Sequence, residues 1–270
     1  MTILQAIILG SIQGLTEFLP VSSSGHLIFV PHLFGWADQG LTFDVIVHLG
    51  SLVAVVWYFR ERLMSITKAF FSNKRRRMTD DGLQREYTFV WFIILSIIPA
   101  LIVGLLFEFS DVEIRSSLVV ALGLIGWGII LGAADIYSSR LRMHRTNITW
   151  RTALFIGCAQ AIALIPGTSR SGSTMTAGLF LKLTKKDAAE FSFLMSVPVI
   201  AIAGALKTVQ FFQSGGESIA LLSLIVGFFA AAVSGYTAIW GLMKIIQKWS
   251  FMPFVVYRIV VGLLILFTLV

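Results

Sequence analysis

The chain has 270 residues, of which 57% are hydrophobic and 13% are charged, and its formal net charge is +7. Soluble domains carry about 25% charged residues, so this composition excludes a soluble enzyme, a disordered protein and a secreted disulfide scaffold. The basic residues lie between apolar stretches, which indicates membrane topology rather than nucleic-acid binding, and we expect an all-α integral membrane protein.

The first apolar stretch, residues 3–33, is interrupted by polar and helix-breaking residues at 17–26. Each flanking piece is too short to cross a bilayer, because a spanning helix needs about 20 apolar residues. The stretch has no basic leading region and no small-residue cleavage site, so we do not expect a signal peptide. Irregular backbone at membrane depth is tolerated where protein buries it or a wet cavity adjoins it. The stretch therefore predicts a re-entrant helical hairpin, at about residues 3–35, with its polar tip inside the bilayer.

Further along the chain, six stretches are long and apolar enough to predict transmembrane helices, at residues 41–59, 87–107, 117–137, 191–209, 219–243 and 252–270. Between the third and fourth of these lies a second interrupted stretch, residues 153–183, with its break at 166–174. By the same argument it predicts a second re-entrant hairpin. The expected architecture is six transmembrane helices plus two re-entrant helical hairpins.

Loop charges predict the orientation. The loops at 60–85, 140–151, 182–186 and 244–248 together carry 17 of the 21 lysine and arginine residues. The positive-inside rule assigns such loops to the cytoplasm. This assignment leaves the short acidic segment with Glu108, Asp111 and Glu113 outside, and it predicts that both termini lie outside.

The two hairpin tips resemble each other. Ser22-Ser-Ser-Gly25 aligns with Ser169-Arg-Ser-Gly172, 147 residues later. Three predicted spans separate the hairpins, so the hairpins enter the membrane from opposite sides. We therefore expect one membrane domain with an inverted-topology repeat, residues 1–137 and 138–270, each half being a hairpin plus three spans. Such folds hold their site near the midplane where broken helices meet, so the two tips should face each other.

The tip residues are typical of an anion site. A Ser/Gly-rich turn before a helix presents unpaired backbone N–H groups at the positive end of the helix dipole, and Arg170 adds a planar fork of donors suited to phosphate. The Glu17 carboxylate would repel such a ligand unless a hard divalent cation lay between them. Gln13, four residues earlier, lies on the same helical face. Ser23 and His26 offer a nucleophile with a proton carrier, or a histidine nucleophile.

Each of these residues also has a structural interpretation. A single serine or glycine in a membrane helix ordinarily serves packing or backbone hydrogen bonding. Charged or ionisable groups at membrane depth are costly and need a reason, which favours a functional role for Glu17, His26 and Arg170. Partner pairing or snorkelling to the interface better explains the residues that we place nearer span ends, namely Asp44, His48, Asp135, Glu190 and Arg258. The run from Gly128 to Gly132 predicts a contact between helices.

The residues alone thus indicate a cation-assisted phosphate site embedded in the bilayer, which suits a lipid phosphate or diphosphate. Two long motifs then resemble those of a known family, namely Gln13-Gly-Leu-Thr-Glu17 running on to Pro20-Val-Ser-Ser-Ser-Gly-His26, and Pro166-Gly-Thr-Ser-Arg-Ser-Gly-Ser-Thr174. Over nearly the whole chain the sequence resembles the undecaprenyl-diphosphatase family, integral-membrane phosphatases linked to bacitracin resistance. The resemblance implies hydrolysis of undecaprenyl diphosphate to undecaprenyl phosphate and inorganic phosphate, which recycles the carrier lipid for peptidoglycan and other envelope polymers.

The resemblance also implies a bacterial plasma membrane, a site open to the periplasm and a divalent cation, Mg²⁺ or Ca²⁺, that Glu17 binds or orients. The family's motif begins with Glu or Gln and here begins with Gln13, so we do not expect a site with two carboxylates. The expected partners are a polyprenyl diphosphate and the bilayer, without nucleic acid. A homodimer is one option for the assembly.

Carried over by motif position, Arg170 grips the diphosphate together with neutral donors of both tips: Ser22, Ser24, Gly25, Ser169, Ser171, Gly172 and Thr174. We favour Ser23 as the nucleophile with His26 as its base, because a phosphoserine intermediate uses the helix-end geometry. Direct attack by His26 is the alternative. Phosphoryl transfer depends mainly on positioning and charge neutralisation, so loss of Arg170 or Glu17 should cripple turnover under either scheme.

Two other functions compete with hydrolysis. Inverted repeats around broken helices are also a transporter architecture, so a transporter or flippase of polyprenyl phosphate is the main alternative. Ser23 and His26 beside an arginine argue against pure transport, because binding alone does not require them. A purely structural membrane subunit ranks third, since it would not hold Glu, His and Arg at its hairpin tips.

Overall fold

The computed structural model describes residues 1–73, 77, 79–108, 116–145, 147–213 and 220–269, with the backbone only at 108 and 211–213. Eleven helices are delimited in these residues: α1 (Ile3–Phe18), α2 (Ser23–Leu33), α3 (Gly40–Tyr58), α4 (Arg60–Phe71), α5 (Asp81–Glu108), α6 (Ser117–Ser139), α7 (Trp150–Ile162), α8 (Arg170–Phe180), α9 (Lys185–Gln213), α10 (Leu221–Ile245) and α11 (Met252–Thr268). The same residues contain no strand, only an isolated bridge between Arg145 and Leu183. The all-α prediction is confirmed for this part of the chain.

Five of the delimited helices are long and apolar enough to cross a membrane, namely α3, α5, α6, α9 and α10. They match the first five predicted spans, which confirms a multi-pass membrane protein. The span predicted at 252–270 corresponds to α11, an apolar helix of 17 residues. This helix is shorter than the other five, and residue 270 lies outside the described residues.

Each interrupted stretch forms two short helices. α1 and α2 have 16 and 11 residues, and α7 and α8 have 13 and 11. The breaks lie where the polar residues predicted them, at the Ser/Gly-rich turns before α2 and α8. Because none of these four helices reaches the length of a span, the chain reverses or breaks within each stretch.

The charge of the basic segment after Phe59 predicted a loop, but the segment contains helix α4. Leu63 and Ile66 of α4 pack against the main hydrophobic cluster of the protein, while Arg62 forms ion pairs with Glu86 and Glu190. Helix α4 is thus amphipathic. Its apolar face is narrow, so it is difficult to recognise in a sequence rich in basic residues. Several residues used for the orientation lie outside the described residues, among them Lys74, Arg75, Arg76, Asp111 and Glu113.

The hairpin helices are held by close helix packing. α1 packs on α10, and α7 packs on α5. A Cβ atom at Gly10 of α1 would lie 2.4 Å from the carbonyl oxygen of Gly227, and one at Gly157 of α7 would lie 2.3 Å from that of Ser96. Only glycine permits backbones to approach this closely. The contact predicted around Gly128 is confirmed, since this residue packs against Arg258 and Ile259 of α11.

Candidate active site

Two serines with an uncommon backbone conformation shape the two tips. Ser22 has φ of 76° and caps α2, where its side chain accepts a hydrogen bond from the Gly25 N–H. Ser169 has φ of 71° and caps α8, where its side chain accepts from the Gly172 N–H. Non-glycine residues with positive φ are uncommon, and such strain concentrates at functional sites. Both turns therefore have the same special geometry, and each opens a helix N-terminus.

The two tips are in direct contact. The Arg170 guanidinium of the second tip donates to Glu17 Oε1 of the first over 3.0 Å. Beside this ion pair, the Ser171 hydroxyl donates to the carbonyl oxygen of Leu19 over 2.9 Å. Glu17 is 8% exposed, so the pair lies inside the protein. These contacts join residues of the two predicted repeats in one site.

The second carboxylate oxygen of Glu17 collects three further groups. The Ser23 hydroxyl donates to Oε2 over 2.6 Å, and the side-chain amide of Gln13 donates over 3.0 Å. Nε2 of His48, on α3, lies 3.9 Å from the same oxygen. His48 was assigned to a span end on sequence grounds, but the structure brings it to the site. Glu17 is thus the residue around which the polar groups of the site assemble.

His26 lies at the site but its contacts differ from those expected. Its Nδ1 is 2.7 Å from the carbonyl oxygen of Ser22, and its Nε2 is 2.7 Å from the hydroxyl of Tyr257. A carbonyl oxygen only accepts, so Nδ1 carries the hydrogen, and Nε2 of the neutral ring accepts from Tyr257. The expected pairing of Ser23 with His26 is therefore replaced by the bond from Ser23 to Glu17. Because Ser23 is the first residue of α2, the i, i+3 spacing does not decide which group its hydroxyl meets.

The remaining predicted donors divide into open and buried groups. Ser24 is exposed and its hydroxyl lies 3.3 Å from that of Ser22. Ser169 and Ser171, which are both buried, form the matching pair over 3.2 Å. Thr174 is fully buried, and its hydroxyl bonds to the backbone of α8 and to Ser192. Thr174 thus supports α8 from behind rather than offering a donor at the tip.

Sequence reasoning did not place two residues of α11, Tyr257 and Arg258, at the site. Tyr257 contacts His26, with the two rings nearly parallel and 5.6 Å apart. Arg258 was expected near a span end, either paired with a partner or snorkelling to the interface, but it is fully buried. Its guanidinium donates to five backbone carbonyls: Pro20, Gly123, Leu124, Gly167 and Thr168. Since Pro20 precedes one capping serine and Thr168 the other, Arg258 ties both turns to α6 and α11.

The donor set beside Glu17 fits a divalent cation. Gln13 Oε1 is buried and has no hydrogen-bond partner among the described residues, and Glu17 supplies the carboxylate that a hard cation prefers. No group of three or more histidine, cysteine, aspartate or glutamate side chains able to hold a metal occurs in the part of the chain that the structure describes. A cation here would therefore depend on neutral ligands and substrate oxygens as well as on Glu17.

With this geometry in view, the model of the family described as bacitracin resistance protein BacA matches residues 6–264 of the chain. The chain belongs to the BacA family. Its curated relatives include undecaprenyl-diphosphatase 2 of Stutzerimonas stutzeri (strain A1501), 47% identical over 99% of both chains. Undecaprenyl-diphosphatase of Thioalkalivibrio sulfidiphilus (strain HL-EbGR7) is 43% identical over 99% of both, and undecaprenyl-diphosphatase 1 of Pseudoalteromonas translucida (strain TAC 125) is 44% identical over the full length of both. The resemblance read from the two motifs is confirmed, and in this BacA protein both motifs belong to one cluster of contacts.

Proposed function

We propose that this protein hydrolyses undecaprenyl diphosphate to undecaprenyl phosphate and inorganic phosphate. The observation that carries the proposal is the pair of contacts at Glu17, with Ser23 of one tip on one oxygen and Arg170 of the other tip on the other. A nucleophile, a carboxylate and a phosphate-binding guanidinium thus meet inside a membrane protein. The curated relatives, similar over their full length, are named for this activity.

In the proposed reaction, the Ser23 oxygen attacks the terminal phosphorus, and its proton passes to Glu17 Oε2 along the 2.6 Å hydrogen bond. The bond to the bridging oxygen breaks, and undecaprenyl phosphate leaves. Water then hydrolyses the phosphoserine and releases phosphate. Ser23 is favoured over His26 as the nucleophile because both ring nitrogens of His26 already hold hydrogen-bond partners.

The two helix N-termini bind the diphosphate in this proposal. The first backbone N–H groups of α2 and α8 have no acceptor within their helices, and they belong to Ser23, Ser24, Arg170 and Ser171. The dipoles of both helices favour negative charge at this point. Arg170 adds two parallel donors when it turns from Glu17 towards phosphate oxygens. The hydroxyls of Ser22, Ser24, Ser169 and Ser171 complete the neutral donors.

A divalent cation, Mg²⁺ or Ca²⁺, is part of the proposal, with Glu17 as its carboxylate ligand and Gln13 as a neutral one. When bound, it would neutralise charge on the diphosphate and reduce the repulsion between substrate and Glu17. An ionised carboxylate offers about four lone-pair sites, enough for Ser23, Arg170 and a cation together. The buried and unpartnered Oε1 of Gln13 supports this arrangement.

We also propose that α1–α2 and α7–α8 are re-entrant hairpins in an inverted repeat with six crossings. Pairs of residues 147 apart support it, because Gly10 and Gly157 make equivalent close approaches and Ser22 and Ser169 make equivalent caps. The helix contacts support it too. In such a repeat α1 corresponds to α7, α3 to α9, α5 to α10 and α6 to α11. The contact of α1 with α10 then corresponds to the contact of α7 with α5, and both are present. The contacts of α3 with α9 and of α6 with α11 each join a helix to its own counterpart.

The proposed orientation places the basic loops in the cytoplasm of a bacterium and the tips open to the periplasm. Contacts among the loops support a common side. Lys185 pairs with Asp135 over 2.8 Å, and the Arg145 N–H donates to the carbonyl of Lys182 over 2.8 Å. The ends of α6 and α10 and the starts of α9 and α11 also surround a cavity of about 590 Å³ lined by Lys186, Lys248 and other polar residues.

The proposal is tested by measuring phosphate release from undecaprenyl diphosphate by the purified protein in detergent, with and without a chelator. We expect cation-dependent release by the wild type and by Arg151→Ala, an exposed arginine at the start of α7, and almost none by Arg170→Ala. Wild-type release by Arg170→Ala would sink the assignment. No release by a folded wild type that still binds the lipid would point to transport instead.

A further inference from the structure

His48 occupies a position at the site that neither hydrolysis by Ser23 nor binding by Arg170 requires. It lies on α3, outside both tips, with Nε2 at 3.9 Å from Glu17 Oε2. Its side chain is 36% exposed, so the ring borders the site rather than packing in the core. The ring of His48 is also held in one orientation, which distinguishes it from an ordinary exposed histidine.

A backbone contact fixes that orientation. Nδ1 of His48 lies 2.6 Å from the carbonyl oxygen of Asp44, one turn earlier in α3. Since the carbonyl only accepts, Nδ1 carries the hydrogen, and the lone pair of the neutral ring is on Nε2, the nitrogen that faces Glu17. Histidines that bind metals show this arrangement, in which the second N–H donates to a backbone carbonyl or a carboxylate.

One further oxygen ligand belongs to a side chain that contacts the same carboxylate oxygen, that of Gln13. The Gln13 amide is 3.0 Å from Glu17 Oε2, and its Oε1 is buried without a partner among the described residues. The two ends of an amide can exchange by rotation, which would bring Oε1 to the place now held by Nε2. Arg170 contacts the other oxygen, Oε1 of Glu17. A cation would therefore bind on the Oε2 side of Glu17, where Gln13 and His48 lie and where the Ser23 hydroxyl also donates.

The distances allow one ion to touch these groups. A divalent first-row ion lies about 2.0–2.2 Å from nitrogen and oxygen ligands, so the 3.9 Å between Nε2 of His48 and Oε2 of Glu17 is a separation that one ion can bridge. One carboxylate with a neutral amide holds a cation weakly unless a further ligand is present. His48 supplies a ligand where the first motif has Gln13 in place of a second carboxylate.

We propose that His48 is a direct ligand of the divalent cation, together with Glu17 and the side-chain oxygen of Gln13. This inference rests on the proposed function, because the cation site is part of it. An imidazole ligand suits Co²⁺ or Zn²⁺, whereas an all-oxygen set suits Mg²⁺ and Ca²⁺. The site in this chain therefore binds the later first-row ions more tightly than an all-oxygen site would.

The test is a pair of binding titrations with the full-length protein in detergent, without a histidine tag and in a Cys158→Ala background, since Cys158 is exposed. Co²⁺ is followed by its visible absorption, which reports nitrogen ligation, and Ca²⁺ by competition with Co²⁺. The informative variant is His48→Gln, which keeps a neutral oxygen at the position. His144→Gln, an exposed histidine in the loop after α6, is the matched control.

We expect His48→Gln to bind Co²⁺ about tenfold more weakly or worse and to lose the nitrogen signature, with a smaller change for Ca²⁺. The control should bind both ions like the parent protein. Unchanged Co²⁺ affinity in His48→Gln overturns the proposal. An equal loss of both ions overturns it as well, because it indicates general damage to the site.

Phosphate release, measured on the same preparations, separates this inference from the proposed function. If the parent protein releases phosphate while His48→Gln binds Co²⁺ normally, only the role of His48 is lost. If the folded parent protein releases no phosphate, the proposed function fails, whatever the titrations give. Glu17→Gln should lose both ions, and normal Co²⁺ binding by this variant would show that the ion binds elsewhere and would overturn the His48 proposal.

Discussion

Glu17 accepts from Ser23, six residues away, and from Arg170, 153 residues away. Residue types alone indicate that Glu17, His26 and Arg170 are functional, because a carboxylate, a histidine and an arginine at membrane depth are costly without a function. Their pairing is a different matter. The spacing of Ser23 and His26 suggested a catalytic pair, but the position of Ser23 at the very start of α2 directs its hydroxyl to Glu17 instead.

Tyr257 has no signal in the sequence that connects it with His26, since 231 residues separate them. It lies in an apolar helix, where a single tyrosine is ordinary. The structure shows that its hydroxyl bonds to Nε2 of His26 and that the Ser22 carbonyl holds Nδ1. Tyr257 therefore fixes the ring of His26 at the first tip.

Replacing this hydroxyl separates the two candidate nucleophiles. If Ser23 attacks, Tyr257→Phe loosens the tip by one hydrogen bond of about 0.5–1.5 kcal/mol, and kcat should fall about two- to tenfold. If His26 attacks through Nε2, the Tyr257 hydroxyl blocks the reacting nitrogen, and the variant should be faster. Steady-state phosphate release decides between them, with Tyr236→Phe of α10 as the control. A rate increase would contradict attack by Ser23.

Helix α11 contributes two residues that contact the tips, Tyr257 and Arg258. Its apolar composition predicted a plain span, yet its Arg258 is fully buried and donates to carbonyls of both turns and of α6. A buried arginine needs hydrogen-bond acceptors, and here backbone carbonyls accept from all three of its nitrogen atoms. α11 thus holds the first tip to the second.

We predict that Arg258→Gln lowers both the thermal midpoint and turnover. Each carbonyl left without a donor costs about 1–3 kcal/mol, and the turns that carry Ser22 and Ser169 lose their common support. The measurements are thermal unfolding in detergent and phosphate release, with Arg151→Gln as the exposed control. A variant with wild-type midpoint and wild-type kcat would show that the buried arginine does not hold the tips.

Hydropathy predicted the long helices well because a bilayer demands a run of apolar residues. It also located both breaks, because a cluster of polar residues with Ser, Gly and Pro interrupts each apolar run. It missed α4, whose apolar side faces the protein while its basic side chains made the segment look like a loop. Hydropathy does not predict the contacts that join the two tips, because these contacts depend on how helices distant in sequence pack.

For the whole molecule, the loops between helices carry the charge pattern, and their contacts place several of them together. Arg62 bonds to Glu190, and Lys185 bonds to Asp135, so segments far apart in sequence share one face. The positive-inside rule assigns this face to the cytoplasm. Once this face is assigned to one side of the membrane, the orientation of the entire molecule follows.

Cysteine labelling tests that assignment. In a Cys158→Ala background, a membrane-impermeant maleimide should label Ser214→Cys from outside intact cells, although Ser214 lies outside the described residues. Ser139→Cys, exposed at the end of α6, should react only after the membrane is permeabilised. The reverse pattern would invert the orientation and with it the periplasmic opening of the site.

We propose that Ser23, whose hydroxyl donates to Glu17, is the nucleophile of the hydrolysis. The most direct test is phosphate release from undecaprenyl diphosphate by Ser23→Ala and Glu17→Gln in detergent, with the exposed Ser139→Ala as the control. We expect both site variants to lose nearly all turnover while remaining folded, and the control to match the wild type. Turnover close to wild type in Ser23→Ala, with activity lost in His26→Ala, would contradict the account.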